Sequence, residues 1–414
     1  MQKGQSAVIN ERLALLTLAA VQFTHILDFM IILPLGSQLM RIFSITPAQF
    51  THLTAAYGIS AAVTGFLAGF VLDRFDRRHA LLVLYSGFGL ATLACALAPS
   101  YGWLLLARLL AGGFGGVAGS VVVAMVGDII PAGRRGRGMA FVMTAFPLAS
   151  VLGVPLGLWL AGLFEWHAPF FLLVGMSVVV LALAWKTIPP IRSVHAAAHP
   201  WKQMQAILQH PVHQRGLMMS AMLVFAGGCM IPFMAPAMVA NVGLSEAQLP
   251  WIYFAGGLAT FFSTPVIGRL SDRHEKLHVL MTMSAAAAAT ALMVANLPPL
   301  PLIPAMLATA LFMVSMSGRF SPAMAMLSNA VDARYRGGFM SVNSAVQQAA
   351  GGLANLVAGL IVYEGAGGHL FRYGWVGCLS ALCMGATVLL AVRLRRLAPY
   401  ASRPSAVPAP AVSH

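Results

Sequence analysis

"GFVLDRFDRR", residues 69–78, crowds Asp73, Arg74, Asp76, Arg77 and Arg78 between two long apolar runs, 48–72 and 79–98. Apolar runs of about 20 residues are long enough to cross about 30 Å of hydrocarbon as helices, so the charged stretch is a short loop at a membrane surface. Working outward, the same alternation of apolar run and short polar break gives twelve spans. They are 13–36, 48–72, 79–98, 102–127, 138–163 and 168–187, then 216–241, 247–270, 277–296, 303–327, 338–363 and 370–393. Composition agrees: 59% of the 414 residues are hydrophobic and 9% charged, with a mean hydropathy of +0.81. A water-soluble domain of that size does not hide so much apolar surface. The expected fold class is an all-α membrane protein with 12 transmembrane helices.

The formal charge of +14 does not point to nucleic acid, because the basic residues sit in short loops between spans. With the N-terminus inside, all but four of the 25 lysines and arginines fall on the cytoplasmic side. The exceptions are Arg41 and Arg372 outside, and Arg108 and Arg319 within spans. This bias sets both termini as cytoplasmic. The first apolar run is too long for a signal-peptide core and reads as a retained helix. Cys95, Cys229, Cys378 and Cys383 all fall within spans without metal-ligand spacing, and are read as small packing residues. No metal site and no cofactor are expected. The spans carry no nucleophile-and-base constellation of an intramembrane enzyme, and no Gly-rich lysine loop of a nucleotide-driven pump is present.

The two halves repeat. "TPAQF" (46–50) aligns with "SEAQL" (245–249), Gly58 with Gly257, Gly69 with Gly268, and Asp73-Arg74 with Asp272-Arg273, all at a spacing of 199 residues. "RRGRGMA" (134–140) matches "YRGGFMS" (335–341) at a spacing of 201. Such a repeat predicts two six-helix bundles related by an axis along the membrane normal, with the site at their interface. The domains are then 1–187 (first bundle), 188–215 (cytoplasmic linker), 216–396 (second bundle) and 397–414, a proline-rich tail expected to be disordered.

"GFVLDRFDRR" resembles the loop signature of the major facilitator superfamily, and "GRLSDRHEK" (268–276) resembles its weaker second copy. The resemblance covers residues 13–393 and departs at Asp76, where the pattern usually has glycine. It implies a gate latch in which Gly69, Asp73, Arg74, Arg77 and Arg78, with Gly268, Asp272 and Arg273 in the second copy, hold the inside-closed state. Purely topogenic charges are the plainer alternative.

Span four, "ARLLAGGFGGVAGS", has glycines at 112, 116 and 119 that leave a smooth face for close helix packing. Arg108 in that span is costly in lipid, so it faces a polar cavity or a partner, or else snorkels to the outer interface. It resembles the span-four arginine of proton-coupled members, which implies an influence on protonation of a nearby acid. Gly153, Pro155 and Gly157 in span five predict a bent segment packed against the other half. They resemble an element associated with antiporters, which implies exchange; a generic kinked helix has the same features.

Every other acid lies in a loop or near a span end, whereas Asp28 lies near the middle of span one in "HILDFMIILP" (25–34). Its insertion cost is about 2.5–3.5 kcal/mol unless it meets water or a partner. Burial disfavours the charged form, and an acid so placed can carry a proton. Gln22, His25 and Asp28, three residues apart, share one side of the helix and are expected to line the central cavity. The alternative is a structural aspartate bonded to a neighbouring helix. Asp28 matches the span-one acid found in the drug pocket of multidrug exporters of the superfamily. Asn343 and Gln347 share a face of span eleven and are expected to line the pocket. Arg319 in "SGRFSPAMAM" resembles a stretch of drug or sugar efflux permeases, and either lines the pocket or anchors span ten.

The function expected is therefore proton-coupled export, by antiport, of small lipophilic or weakly cationic compounds, with Asp28 and Arg108 as the coupling pair. The site is the cytoplasmic (inner) membrane of a bacterium. Partners are protons, a small-molecule substrate and the lipid bilayer, with no nucleic acid, and the protein is expected to be a monomer. A sugar or amino-acid exporter, or a proton-coupled uptake symporter, on the same scaffold is the rival.

Overall fold

The structure is a computed structural model that describes residues 10–71, 75–131, 134–190, 200–365 and 368–404. The first half comprises α1 (Glu11–Ile31), α2 (Gly36–Phe43), α3 (Pro47–Val71), α4 (Arg77–Ala96) and α5 (Tyr101–Ile129). Its fifth rod is built from α6 (Arg135–Met143), α7 (Ala145–Leu148), a π-helical turn (Ala149–Gly153) and α8 (Val154–Leu163), and α9 (Ala168–Thr187) closes the half. After α10 (Pro200–Gln209) come α11 (Pro211–Ala240), α12 (Leu249–Arg273), α13 (Lys276–Ala295), α14 (Leu302–Gly318) continued by α15 (Phe320–Ala330), α16 (Ala333–Ile361) and α17 (Tyr373–Leu397). A two-stranded hairpin, β1 (Tyr363–Glu364) and β2 (Leu370–Phe371), precedes α17. Ten stretches of described residues are long and apolar enough to cross a membrane. Helices α3 and α16, with 25 and 29 residues, are of comparable length.

Short polar side chains start several rods by satisfying orphan backbone donors. Asn10 accepts from the Leu13 amide, Asp76 from His79 and Ser100 from Trp103. Asp76, the departure from the family's glycine, is thus the N-cap of α4.

The charge bias assigns the end carrying Arg41 and residues 241–248 to the outside, and that end is here called outer. One apolar core runs through both halves there, joining Ile31, Leu39, Phe50 and Leu104 to Met230, Phe233, Tyr253 and Tyr373. Toward the inner end the core divides. Leu18, Tyr85, Val122, Val142 and Val180 belong to the first half, and Leu217, Leu277, Met326, Phe339 and Leu394 to the second. Glycines make the outer seam close. A Cβ on Gly58 would stand 3.1 Å from the Gln348 carbonyl oxygen, and one on Gly352 2.7 Å from Ile59 Cγ1. On the other side of the molecule, a Cβ on Gly257 of α12 would come within 2.9 Å of the Ser150 carbonyl oxygen. The halves are joined at the outer end and carry separate cores at the inner end.

One expectation, that of the tail, needs correction, and the linker and span five gain detail. Residues 200–209 of the linker are helical, and α11 begins at Pro211, a few residues ahead of the expected span, because proline suits a first helical turn. Residues 191–199 lie outside the described residues. The tail expected to be disordered from 397 is ordered through Arg403: Pro399–Ser402 form a 3₁₀ turn with Ala401 and Ser402 buried. Polar contacts hold it, since Lys276 Nζ donates to the Arg403 carbonyl at 2.7 Å and Ser402 Oγ to Glu275 at 3.1 Å; residues 405–414 are outside the described residues. In span five, Gly153 and Gly157 pack on Leu27 and Ile31 of α1, while the bent segment from α7 through the π turn to α8 packs against α12 of the other half, with Ser150 and Val151 meeting Gly257.

Candidate functional site

Asp28 and Arg108 meet. Arg108 Nη1 donates to Asp28 Oδ2 at 2.8 Å and to the Asp28 carbonyl oxygen at 3.2 Å, and both side chains are 0% exposed. Thr92 Oγ1, from α4, lies 3.4 Å from the second carboxylate oxygen. The guanidinium carbon sits 4.5 Å from the centre of the Tyr57 ring, over its face, where a cation is attracted by the ring quadrupole. Tyr57 Oη is in turn 2.7 Å from His25 Nδ1. Four helices therefore contribute to one network: α1 (His25, Asp28), α3 (Tyr57), α4 (Thr92) and α5 (Arg108).

The glycine face of α5 makes this possible. A Cβ on Gly112 would run into the Tyr57 carbonyl oxygen and stand 2.6 Å from Tyr57 Cα. On Gly115 it would stand 2.6 Å from Tyr57 Oη and 3.0 Å from His25 Nδ1. Without these side chains α5 approaches α1 and α3 closely enough for Arg108 to reach Asp28.

The polar stripe expected on α1 divides. Asp28 turns into the first bundle and is sealed, so it does not line an open cavity in this arrangement. His25 and Gln22, each one turn further toward the inner end, are half-buried. A Cβ on Gly119 would lie 3.3 Å from His25 Nε2 and 3.5 Å from Gln22 Oε1, an oxygen with no hydrogen-bond partner among the described residues. Tyr57 and Thr92 were not signalled by the sequence. A tyrosine before a glycine and a threonine in an apolar run have no distinctive spacing, and only their positions beside Arg108 identify them.

In the second half the residues singled out pair with no acid among the described residues. Gln347 Nε2 donates to Ser220 Oγ at 2.8 Å, and Asn343, one turn earlier on α16, is buried with Oδ1 unpartnered. Arg319 joins α14 to α15 and is 1% exposed. Its backbone caps α14, but its side chain makes no capping bond at the start of α15.

At the inner surface, Asp73 and Arg74 lie outside the described residues, as does the surroundings of Gly69 at the end of α3. Arg77 Nε is 3.5 Å from Asp128, and Arg78 donates to the Trp185 carbonyl at 2.5 Å while lying over its ring. Asp128 and Trp185 both belong to the first half. Asp272 and Arg273 occupy the last turn of α12 and are exposed, with Gly268 one turn earlier. At the outer end a latch does cross between halves: Arg41 meets Glu246 with bonds of 2.9 and 3.3 Å, and Gln38 donates to the same carboxylate at 3.0 Å. Burial works against the Glu246 charge, but the Arg41 and Gln38 hydrogen bonds and the Arg41 charge outweigh it and hold the carboxyl below the usual range.

The family model of the Major Facilitator Superfamily matches residues 18–231 and 216–413. The transcription regulatory protein OpdE of Pseudomonas aeruginosa is 29% identical over 221 residues, which are 53% of this chain and 55% of that protein. A chloramphenicol resistance protein of Streptomyces lividans is 29% identical over 230 residues, 53% of this chain and 57% of its own. The chain spans about half the length of the curated relatives it matches. The crystal structure of a bacterial homolog to the human lysosomal transporter Spinster, in an inward-facing and unoccupied conformation, superposes with a TM-score of 0.70 at 17% identity, covering 98% of this chain and 100% of that one. With the family model matched along both halves and the same fold in a solved transporter, the chain belongs to the Major Facilitator Superfamily of membrane transporters.

Proposed function

We propose that the chain is a proton-coupled exporter of small, largely apolar compounds in a bacterial cytoplasmic membrane. It works as a monomer with twelve spans and both termini inside, by alternating access. The observation that carries this reading is the sealed Asp28–Arg108 pair. A carboxylate buried against a permanent cation has two states to choose between: ionised and paired, or protonated and released from it. Each state favours a different packing of α1 against α5. Tyr57, whose ring lies under the Arg108 guanidinium, is hydrogen-bonded to His25, with Gln22 one turn nearer the inner end; this side of α1 is the route for proton release inside when the outer seam is shut. Outer opening then requires the Arg41–Glu246 latch and the α3–α16 seam to part, so that the proton enters from outside. Weakly cationic cargo, expected to compete directly for Asp28, finds that carboxylate already taken by Arg108. A shared inner cavity with indirect competition fits better. The chloramphenicol resistance relative supports the export direction.

The test is proton uptake into proteoliposomes driven by an outward gradient of candidate substrates such as chloramphenicol. Substrate-dependent uptake that disappears in Asp28→Asn supports the reading. Uptake of equal size in both proteins removes Asp28 from coupling.

A further inference from the structure

Arg319 is a buried cation that no carboxylate among the described residues meets. Its Nη2 donates to the Leu223 carbonyl at a long 3.4 Å and touches the Met316 sulfur at 2.8 Å, while Nε and Nη1 have no partner among the described residues. The acids of the second half are all elsewhere. Glu246 is latched to Arg41 at the outer end and Glu275 to Arg395 at the inner end. Asp272 closes α12, Asp332 precedes α16 and Glu364 lies in β1. A guanidinium stays charged under all ordinary conditions, so an unpaired one in a dry bundle is costly unless something visits it.

The first half shows what is missing. There Arg108 is neutralised by Asp28 from the first helix of the same bundle. The residue 199 positions after Asp28 is Gly227, on α11. The Met316 methyl lies 3.7 Å from where a Cβ on Gly227 would stand, so the thioether that covers Arg319 also fills the space a carboxylate side chain would take. Methionine is flexible and weakly bound as an acceptor, and is readily displaced by a charged oxygen. Leu223, whose carbonyl accepts from Arg319, lies one turn along α11 from Ser220, and Ser220 accepts from Gln347 of α16, which is also 3.6 Å from the Met324 sulfur.

We infer that Arg319 is the anchor of a cargo site for small organic monocarboxylates with an apolar body, the ligand carboxylate replacing Met316 on the guanidinium fork. The planar fork binds a carboxylate through two parallel N–H···O bonds, which uses the donors now idle. The inference deepens the exporter reading above by naming a cargo class, yet binding itself does not need Asp28.

The experiment measures benzoate and its neutral isostere benzamide against detergent-purified protein by calorimetry and by the shift in melting temperature. The native protein should bind benzoate and discriminate against benzamide. Arg319→Gln should bind benzoate about tenfold or more weakly, and Arg319→Lys, which keeps the charge and loses the fork, should fall between. Arg319→Gln removes an unpaired buried charge, so it should melt no lower than the native protein, which separates lost binding from lost folding. Benzoate and benzamide binding alike, benzoate not binding, or Arg319→Gln binding as well as the native protein would each overturn the inference. A loss of proton coupling in Asp28→Asn with benzoate binding intact, or the reverse, distinguishes failure of one reading from failure of the other.

Discussion

Replacing Asp28 by asparagine leaves Arg108 in place with nothing to balance its charge. Removing one member of a fully buried pair costs about 3–5 kcal/mol, chiefly because the remaining charge stays desolvated. Two features soften this here. The asparagine oxygen can still accept from Nη1, and the Tyr57 ring 4.5 Å below the guanidinium contributes about 1–2 kcal/mol of cation–π attraction. The expected loss is therefore near the low end, about 3 kcal/mol. Arg108→Gln alone leaves the carboxylate, which can protonate, and should cost less. In the double variant both charges are gone, and the expected cost is smaller than the sum of the single costs by about 2–3 kcal/mol. The assay is denaturant unfolding in micelles of the native, two single and double variants as a thermodynamic cycle. If the single costs add to within about 0.5 kcal/mol, the two residues do not interact and the 2.8 Å contact does not stabilise the fold.

Gly112→Ala should push α5 off Tyr57 and cost about 1–3 kcal/mol, since the added Cβ meets backbone rather than a movable side chain; unchanged melting temperature would refute that close approach. Gly352→Val should wedge Ile59 away and lengthen the distance between spin labels at Ile42→Cys and Ala247→Cys across the outer seam, whereas an unaltered distance distribution would mean the seam is not held by this packing. Glu246→Gln should lengthen the same distance at neutral pH. Because the Glu246 carboxyl is held below its usual range, the native latch is intact above the ordinary glutamate value of about 4.3 and is lost only as pH falls through the lowered one. The native distance should thus be constant from neutral pH to about 5, and opening within that interval would show that another group controls the outer end.

Much of this was legible along the chain because lipid imposes a local rule. Each span must satisfy its own backbone as a helix and must present apolar side chains, so spans, loops and the duplicated halves appear as periodic composition. The isolation of Asp28 and the cost of Arg108 and Arg319 follow from the same rule. What composition does not contain is rotation about each helix axis. Whether Asp28 faced a cavity or a neighbour depended on how α1, α3, α4 and α5 turn toward one another. The glycines at 112, 116 and 119 announced a close approach of span four without naming Tyr57 or His25 as what approaches. The same limit applies to Gly153 and Gly157, whose small size was read from the chain and whose immediate neighbours, Leu27 and Ile31 of α1, only the packing shows. Closure at the outer end and the lack of an acid beside Arg319 are likewise tertiary facts. They arise from side chains more than 90 residues apart in sequence, such as Leu223 and Arg319, brought together by packing that no single helix specifies.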